Sequence, residues 1–287
     1  MASRRARCPA SSANLGPGFD TLAIALALYV EVDVRAGPRL IVRAEGEGKE
    51  LATDQTNLAA RVAMDVAGTS ELDITIRSQI PVARGLGSSA ALAVAAAAAA
   101  GATDPLAAAA AVEGHPENAA ASLLGGLVTA TMLGSRPVAS KLPLDSGLAF
   151  VVLVPDAPLP TVQARQALPE TVSHKDAIFN LGRMGLLISG LADRRRLVAE
   201  ATEDRLHQQA RTPLFPESRV LMAGLQDAGA LAACWSGAGP SLLAICDKSV
   251  AANVREAGER LLREARIAGR AVLLKADAKG LIVTPLG

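Results

Sequence analysis

The segment Pro81 to Ala91, P-V-A-R-G-L-G-S-S-A-A, carries the clearest chemistry in the chain. A strand is predicted to end at Pro81, two glycines allow a tight turn, and two serines open a long helix. Backbone N–H groups at a helix start, with the helix dipole behind them, make an anion site. Gly85 and Gly87 let the backbone approach a phosphate closely. The hydroxyls of Ser88 and Ser89 can serve phosphate or Mg²⁺. No Lys follows the second glycine and the spacing is not GxGxxG, which excludes a Walker loop and the dinucleotide fingerprint. Alone, the segment reads equally well as a glycine turn with an ordinary serine cap.

Two further segments change that balance. Pro9 to Asp20 reads P-A-S-S-A-N-L-G-P-G-F-D, a polar, glycine-rich loop predicted between two apolar strands. Ser236 to Ser241 reads S-G-A-G-P-S, predicted as a tight hairpin between two more. In this order the three resemble the motifs of the GHMP kinase superfamily, over essentially the whole chain. Within it the details resemble the homoserine kinases: the SSANLGxGFD form of the first motif, E-G-H-P-E-N at Glu113 to Asn118, T-V-Q-A-R at Thr161 to Arg165, and D-R-L-H-Q-Q-A-R at Asp204 to Arg211. There are two departures. Glu117 stands where that family usually has Asp, and Gln209-Ala210 precede Arg211 where an aromatic is common.

The resemblance implies ATP-dependent phosphorylation of the L-homoserine hydroxyl, as used in threonine biosynthesis. Homoserine is a zwitterion, so its site needs an anion for the amine and cations for the carboxylate. The family pattern puts Asn14 and Asp20 on the amine and Arg165 and Arg211 on the carboxylate. Planar guanidinium donors suit a carboxylate two at a time. Thr161, His115 and Gly239 complete the implied substrate pocket. Pro81, Arg84, Gly85, Leu86, Gly87, Ser88, Ser89 and Ala90 are implied for ATP. Glu113 is expected to hold Mg²⁺ with Ser88 (or Ser89), since hard cations take oxygen ligands. Asn118 is expected at the substrate hydroxyl, where mevalonate-type relatives place an Asp that can act as base. An amide takes no proton at neutral pH, so direct in-line transfer without a side-chain base is expected, with Asn118 and Arg165 as the catalytic residues. Two alternatives stay open: a GHMP kinase of the mevalonate or phosphomevalonate type, and a non-catalytic ligand sensor on the same fold.

These residues must be positioned by a core of small aliphatic side chains. Half of the residues are hydrophobic but only 2% are aromatic. Periodicity predicts strands at 29–35 and 40–43 joined by a turn, a helix at 57–67, and a strand at 71–77. An Ala-rich buried helix follows at 88–100, then a helix from Asp104-Pro105 and a strand at 127–132. The second half reads as a strand at 148–154, helices at 161–168, 173–191, 194–210 and 217–228, strands at 231–235 and 241–246, a helix at 249–264 and a strand at 271–276. That mixture is α+β, with a break near Asp145-Ser146-Gly147. The resemblance implies a two-domain fold: an N-terminal domain of ribosomal protein S5 domain 2-like type (1–146) and a ferredoxin-like C-terminal domain (147–287).

Composition narrows the rest. Lys+Arg 29 against Asp+Glu 28 gives no field for nucleic acid or an anionic membrane. Three scattered cysteines, Cys8, Cys234 and Cys246, fit a reducing cytoplasm and no structural zinc. The alanine run is too short to span a bilayer, which takes roughly 20 apolar residues. The expected partners are therefore L-homoserine and MgATP; whether the chain forms a homodimer stays open.

Overall fold

Strand β1 (Arg4–Asn14) and the 19-residue strand β2 (Gly18–Ala36) pair along their length as an antiparallel hairpin. A computed structural model, describing residues 3–286, is the source of this geometry. The predicted loop over residues 9–20 shrinks to a turn at Leu15 to Pro17. Ser11 and Ser12 sit inside a strand although both are buried. Their hydroxyls meet Asn118 Oδ1 at 2.9 Å and Ser236 Oγ at 2.8 Å, so a neighbouring helix and a loop satisfy what the sheet does not.

The chain continues through β3 (Ile41–Gly46), α1 (Leu58–Ala67), β4 (Leu72–Ser78), α2 (Ser88–Ala100), α3 (Pro105–Glu113), α4 (Glu117–Leu124), β5 (Leu127–Leu133) and β6 (Arg136–Leu142). The turn predicted to join residues 29–35 to 40–43 does not make a hairpin. Strand β4 lies between β2 and β3, and β3 pairs with β4 in parallel. Strand β5 pairs with the first part of β2 and carries β6. Helix α4 and strand β6 were not anticipated: α4 is short, and it begins inside the EGHPEN motif.

Helix α2 is apolar on every face, which places it in the interior. Nearly every residue from Ala90 to Ala100 is buried. Alanine is the best helix former and its small side chain lets neighbouring backbones approach. Asp104 caps α3, its carboxylate accepting from the Ala107 N–H at 3.0 Å, with Pro105 in the first turn.

The second half supplies β7 (Leu148–Pro155), α5 (Thr161–Gln166), α6 (His174–Ala192), α7 (Gln208–Arg211), α8 (Ser218–Asp227), β8 (Ala232–Trp235), β9 (Leu242–Asp247), α9 (Ala251–Glu264), β10 (Gly269–Leu274) and β11 (Ile282–Pro285). The second sheet has the order β10-β7-β9-β8 and is antiparallel throughout. That is the split-βαβ arrangement of a ferredoxin-like domain, with α8 and α9 packed against it. Strand β11 leaves this domain and pairs with β1, so a cut at residue 146 does not separate the two sheets.

The helix predicted over 194–210 is broken into 3-10 turns at Arg194–Arg196 and Ala199–Thr202, followed by the four-residue α7. Asp204 explains the break. Its carboxylate accepts from the backbone N–H groups of Leu206, His207 and Gln208, competing with helical hydrogen bonds. No helix among the described residues is long and apolar enough to cross a membrane.

Candidate active site

A cavity of about 450 Å³ opens between the two sheets, lined by residues from every motif singled out in the sequence. One wall is the glycine-rich loop. Helix α2 starts at Gly87, which lies in the left-handed region (φ 65°), and no side chain caps its first N–H groups. An uncapped start to a buried helix leaves donors free for an anion. Gly85 and Gly87 both abut neighbours closely. A methyl group on Gly85 would lie 2.1 Å from Ser236 O, and one on Gly87 2.1 Å from Ser11 Oγ.

The first and third motifs buttress this loop. Ser236 Oγ donates to Gly85 O at 2.7 Å, and the Ser11 N–H donates to Leu86 O at 3.1 Å. Asn14 joins the two motifs: its amide donates to Gly237 O at 2.7 Å, and its Oδ1 accepts from the Asp20 N–H at 3.0 Å. Asn14 and Asp20 both have positive φ, 71° and 51°. The hairpin end is thus strained, as at sites where structure holds a functional group in place.

Arg84 lines the cavity, but its guanidinium donates to the carbonyls of Val82, Pro155 and Asp156. It ties the loop to the end of β7. Ser88 and Ser89 differ in what they meet. Ser88 Oγ donates to Ile80 O at 3.4 Å, whereas Ser89 Oγ contacts the Glu113 carboxylate. Of the two serines expected beside Glu113, Ser89 is the one that meets its carboxylate. Two expected residues lie off the cavity. Ala90 is buried behind the loop, and Gly239 packs on the Trp235 ring. Gly237 and Ala238 line the cavity instead.

The opposite wall is charged. Asp20 and Arg165 form a bidentate pair at 2.7 and 3.0 Å across the two domains. Arg211 is 1% exposed and makes no salt bridge among the described residues. It donates to His207 Nδ1 at 2.9 Å and to the carbonyls of Gly237 and Ala164. Burial, and then the charge of Arg165, bring its pKa down to about 10. A buried cation whose contacts are all neutral leaves its charge uncompensated, and an anion in the cavity could offset it. Thr161 stands at the exposed start of α5 on the same cavity.

His115, Glu117 and Asn118 form the floor. Helix α4 buries Glu117 to 1% exposure. Glu117 Oε1 lies 2.9 Å from His115 Nδ1 and accepts from Asn118 Nδ2 at 3.2 Å. Its Oε2 is buried and meets no donor. Asp20, His115 and Glu117 each offer an atom within 4.8 Å of the others. The extra methylene of Glu117 over the family's Asp thus carries its carboxylate to the cavity floor, where Oε2 is enclosed and meets no donor. The departure itself was visible in the sequence, but its outcome was not.

Burial lowers the His115 pKa, but the adjacent Glu117 carboxylate more than offsets this and leaves it above the ordinary imidazole value. Its folded pKa is raised, so the pair's stabilisation is complete below about pH 6.5, the ordinary imidazole pKa, and is lost as pH rises through the raised value. His115→Gln is therefore expected to lower the urea midpoint more at acid pH than at alkaline pH. Equal losses at both would remove the ion pair from the account.

Residues 56–126 match the family GHMP kinases N terminal domain, and residues 185–264 match GHMP kinases C terminal. The chain is 41% identical to a homoserine kinase of Clavibacter michiganensis subsp. michiganensis, over 96% of this chain and 92% of that one. It is 42% identical to a homoserine kinase of Streptomyces avermitilis, over 98% and 96% of the two chains. The crystal structure of a homoserine kinase from Cytophaga hutchinsonii superposes with a TM-score of 0.86 at 26% identity, covering 99% of this chain and 98% of that one.

Proposed function

This chain belongs to the homoserine kinases of the GHMP kinase family, and we propose the following reaction path for it. It is an ATP-dependent small-molecule kinase that transfers the γ-phosphoryl group to the side-chain hydroxyl of L-homoserine, giving O-phospho-L-homoserine and ADP. The observation that carries the reading is Arg211, a buried guanidinium without a carboxylate partner, in one cavity with an uncapped helix start. Two anion sites in one cavity suit a phosphate chain and an amino-acid carboxylate.

The α2 start and the glycine loop hold the phosphates. Leu51, Leu58, Val82 and Leu92 give the base an aliphatic bed, since no Phe, Tyr or Trp lines the cavity. Ser89 and Glu113 fit Mg²⁺: both are hard oxygen donors, already in contact at the loop. When bound there, the ion would neutralise phosphate charge. Arg165 and Arg211 take the α-carboxylate, with Thr161 at the mouth. The Asn14 side chain is buried as well as engaged at both ends, unlike the part-exposed Asn118, so we assign it to holding the hairpin. The ammonium then falls to Asp20, whose carboxylate is reachable from the cavity. The substrate zwitterion enters the Asp20–Arg165 pair and replaces one internal ion pair by two external ones.

Asn118 lies between Ser11 and Glu117, which fixes its amide plane beside the cavity. An amide cannot act as base, and a loose phosphoryl-transfer transition state asks mainly for alignment and charge neutralisation. Asn118 is thus proposed to orient the attacking oxygen for in-line transfer. Asn118→Ala should lower kcat by roughly 10²-fold, the usual cost of misplacing a reacting group. Asn118→Asp should not raise it. A phosphorus NMR assay on MgATP and L-homoserine tests both points: unchanged phosphomonoester production by Asn118→Ala, or faster production by Asn118→Asp, would overturn the assignment.

A further inference from the structure

His207 is fully buried, and each of its ring nitrogens faces one protein atom. Nε2 lies 2.8 Å from Gly16 O, at the end of the β1–β2 hairpin. A carbonyl oxygen only accepts, so Nε2 must carry a proton. Nδ1 lies 2.9 Å from Arg211 Nη1. A guanidinium nitrogen only donates, so Nδ1 must be bare. Only the neutral Nε2–H tautomer satisfies both contacts. The second observation is how firmly the ring is held. The His207 N–H donates to Asp204 Oδ2 at 2.8 Å, and Asp204 is itself fixed by Asn180 Nδ2 at 2.7 Å. The Phe19 ring stacks on the imidazole with centroids 5.2 Å apart. Asp204 Oδ2 is 3.7 Å from Nε2, too far to compete with Gly16 for its proton.

We propose that His207 is a positioning residue, a fixed acceptor that aims the Arg211 guanidinium at the substrate carboxylate and locks it to the hairpin bearing Asp20. This rests on the assignment of Arg211 to the carboxylate. Burial supports the neutral form, bringing the His207 pKa down to about 4. A protonated ring would set a second cation against Arg211, which already lacks an anionic partner. The device links the two ends of the substrate site. Gly16 leads into Phe19 and Asp20 on one side of His207, and Arg211 stands on the other.

Two substitutions separate the contacts. In His207→Asn the amide oxygen can replace Nδ1 as acceptor for Arg211, whereas His207→Gln can keep a donor near Gly16 and loses that acceptor. His207→Gln is expected to raise the KM for L-homoserine at least about tenfold, as for a lost charge-assisted hydrogen bond, with kcat and the KM for MgATP within about threefold. His207→Asn should recover most of the loss. Equal damage by both variants, spread over kcat and both KM values, would make His207 a packing residue and overturn the proposal. The wild-type protein gives an independent reading, because only three histidines are present. Nitrogen-15 imidazole spectra at about pH 7 should show one neutral Nε2–H ring that vanishes in His207→Gln. An Nδ1–H tautomer or an imidazolium at that position would overturn the proposal even where a variant fails to fold. Wild-type silence on homoserine with the expected tautomer would instead overturn the substrate assignment, so the two failures are distinguishable.

Discussion

Arg165→Ala is expected to raise the KM for L-homoserine by about tenfold to 10²-fold, the lower part of the range for truncating one partner of a hydrogen-bonded charge pair, because the pair with Asp20 is about one-third exposed. The KM for MgATP should stay within about threefold, because Arg165 hydrogen-bonds to Asp20 and not to the glycine loop. Two effects combine. The carboxylate loses a bidentate donor, and Asp20 loses both of its guanidinium contacts, at 2.7 and 3.0 Å. Arg165→Lys should recover only part of the loss, since an ammonium cannot present two parallel donors. Steady-state kinetics with homoserine varied at saturating MgATP separate the terms. A rise in the KM for MgATP with that for homoserine unchanged would place Arg165 on the nucleotide.

Gly87→Ala is expected to lower kcat by about 10²-fold or more while leaving the far-ultraviolet circular dichroism unchanged. Gly87 lies at φ 65°, where an L side chain is strained by roughly 1–2 kcal/mol. The added methyl would also lie 2.1 Å from Ser11 Oγ and 2.9 Å from Asn118 Oδ1. Relief must come from the loop, from β1 or from Asn118, and each of these helps hold the reacting groups. A displacement near 1 Å suffices for a loss of that size. Stopped-flow single turnovers should show the loss in the chemical step. A variant with wild-type single-turnover rates would mean that the loop accommodates a side chain, contrary to the packing around Gly87.

Much of this site was legible in the chain itself, for identifiable reasons. The bounds of α2 follow from a glycine turn, two serines and an unbroken alanine run ended by Gly101, and they match the structure residue for residue. The α+β class followed from the order of periodic segments, and the ferredoxin-like sheet from family resemblance. What periodicity missed was polar structure satisfied by distant partners. Ser11 and Ser12 looked like loop residues because their acceptors and donors lie more than a hundred positions away. Asp204 looked helical because its carboxylate had no visible reason to take three backbone N–H groups. Sequence distance also hid the return of β11 to the first sheet and the insertion of β4 between β2 and β3.

Side-chain roles were less legible than side-chain identities. Asn14 and Asp20 could be named together, but only the hydrogen bonds show the Asn14 amide engaged at both ends. Arg165 and Arg211 read as equivalent arginines. In the fold one is paired with Asp20, and the other is buried with neutral partners only. Glu117 read as a departure of one methylene, and it ends as a buried oxygen without a donor. For Asn14, Arg165 and Arg211 the difference depends on a neighbour from another motif, which no local window contains.

The most direct test of the central claim is kcat/KM for ADP release with MgATP across L-homoserine, L-serine, L-threonine, mevalonate and galactose. A cavity built for a zwitterion and a primary alcohol predicts that L-homoserine exceeds the alcohols lacking an α-amino acid group by at least about 10⁴-fold, since those leave buried charges unmatched. Comparable turnover of mevalonate or galactose, or silence on homoserine, would contradict the assignment of Arg165, Arg211 and Asp20 to an amino-acid substrate.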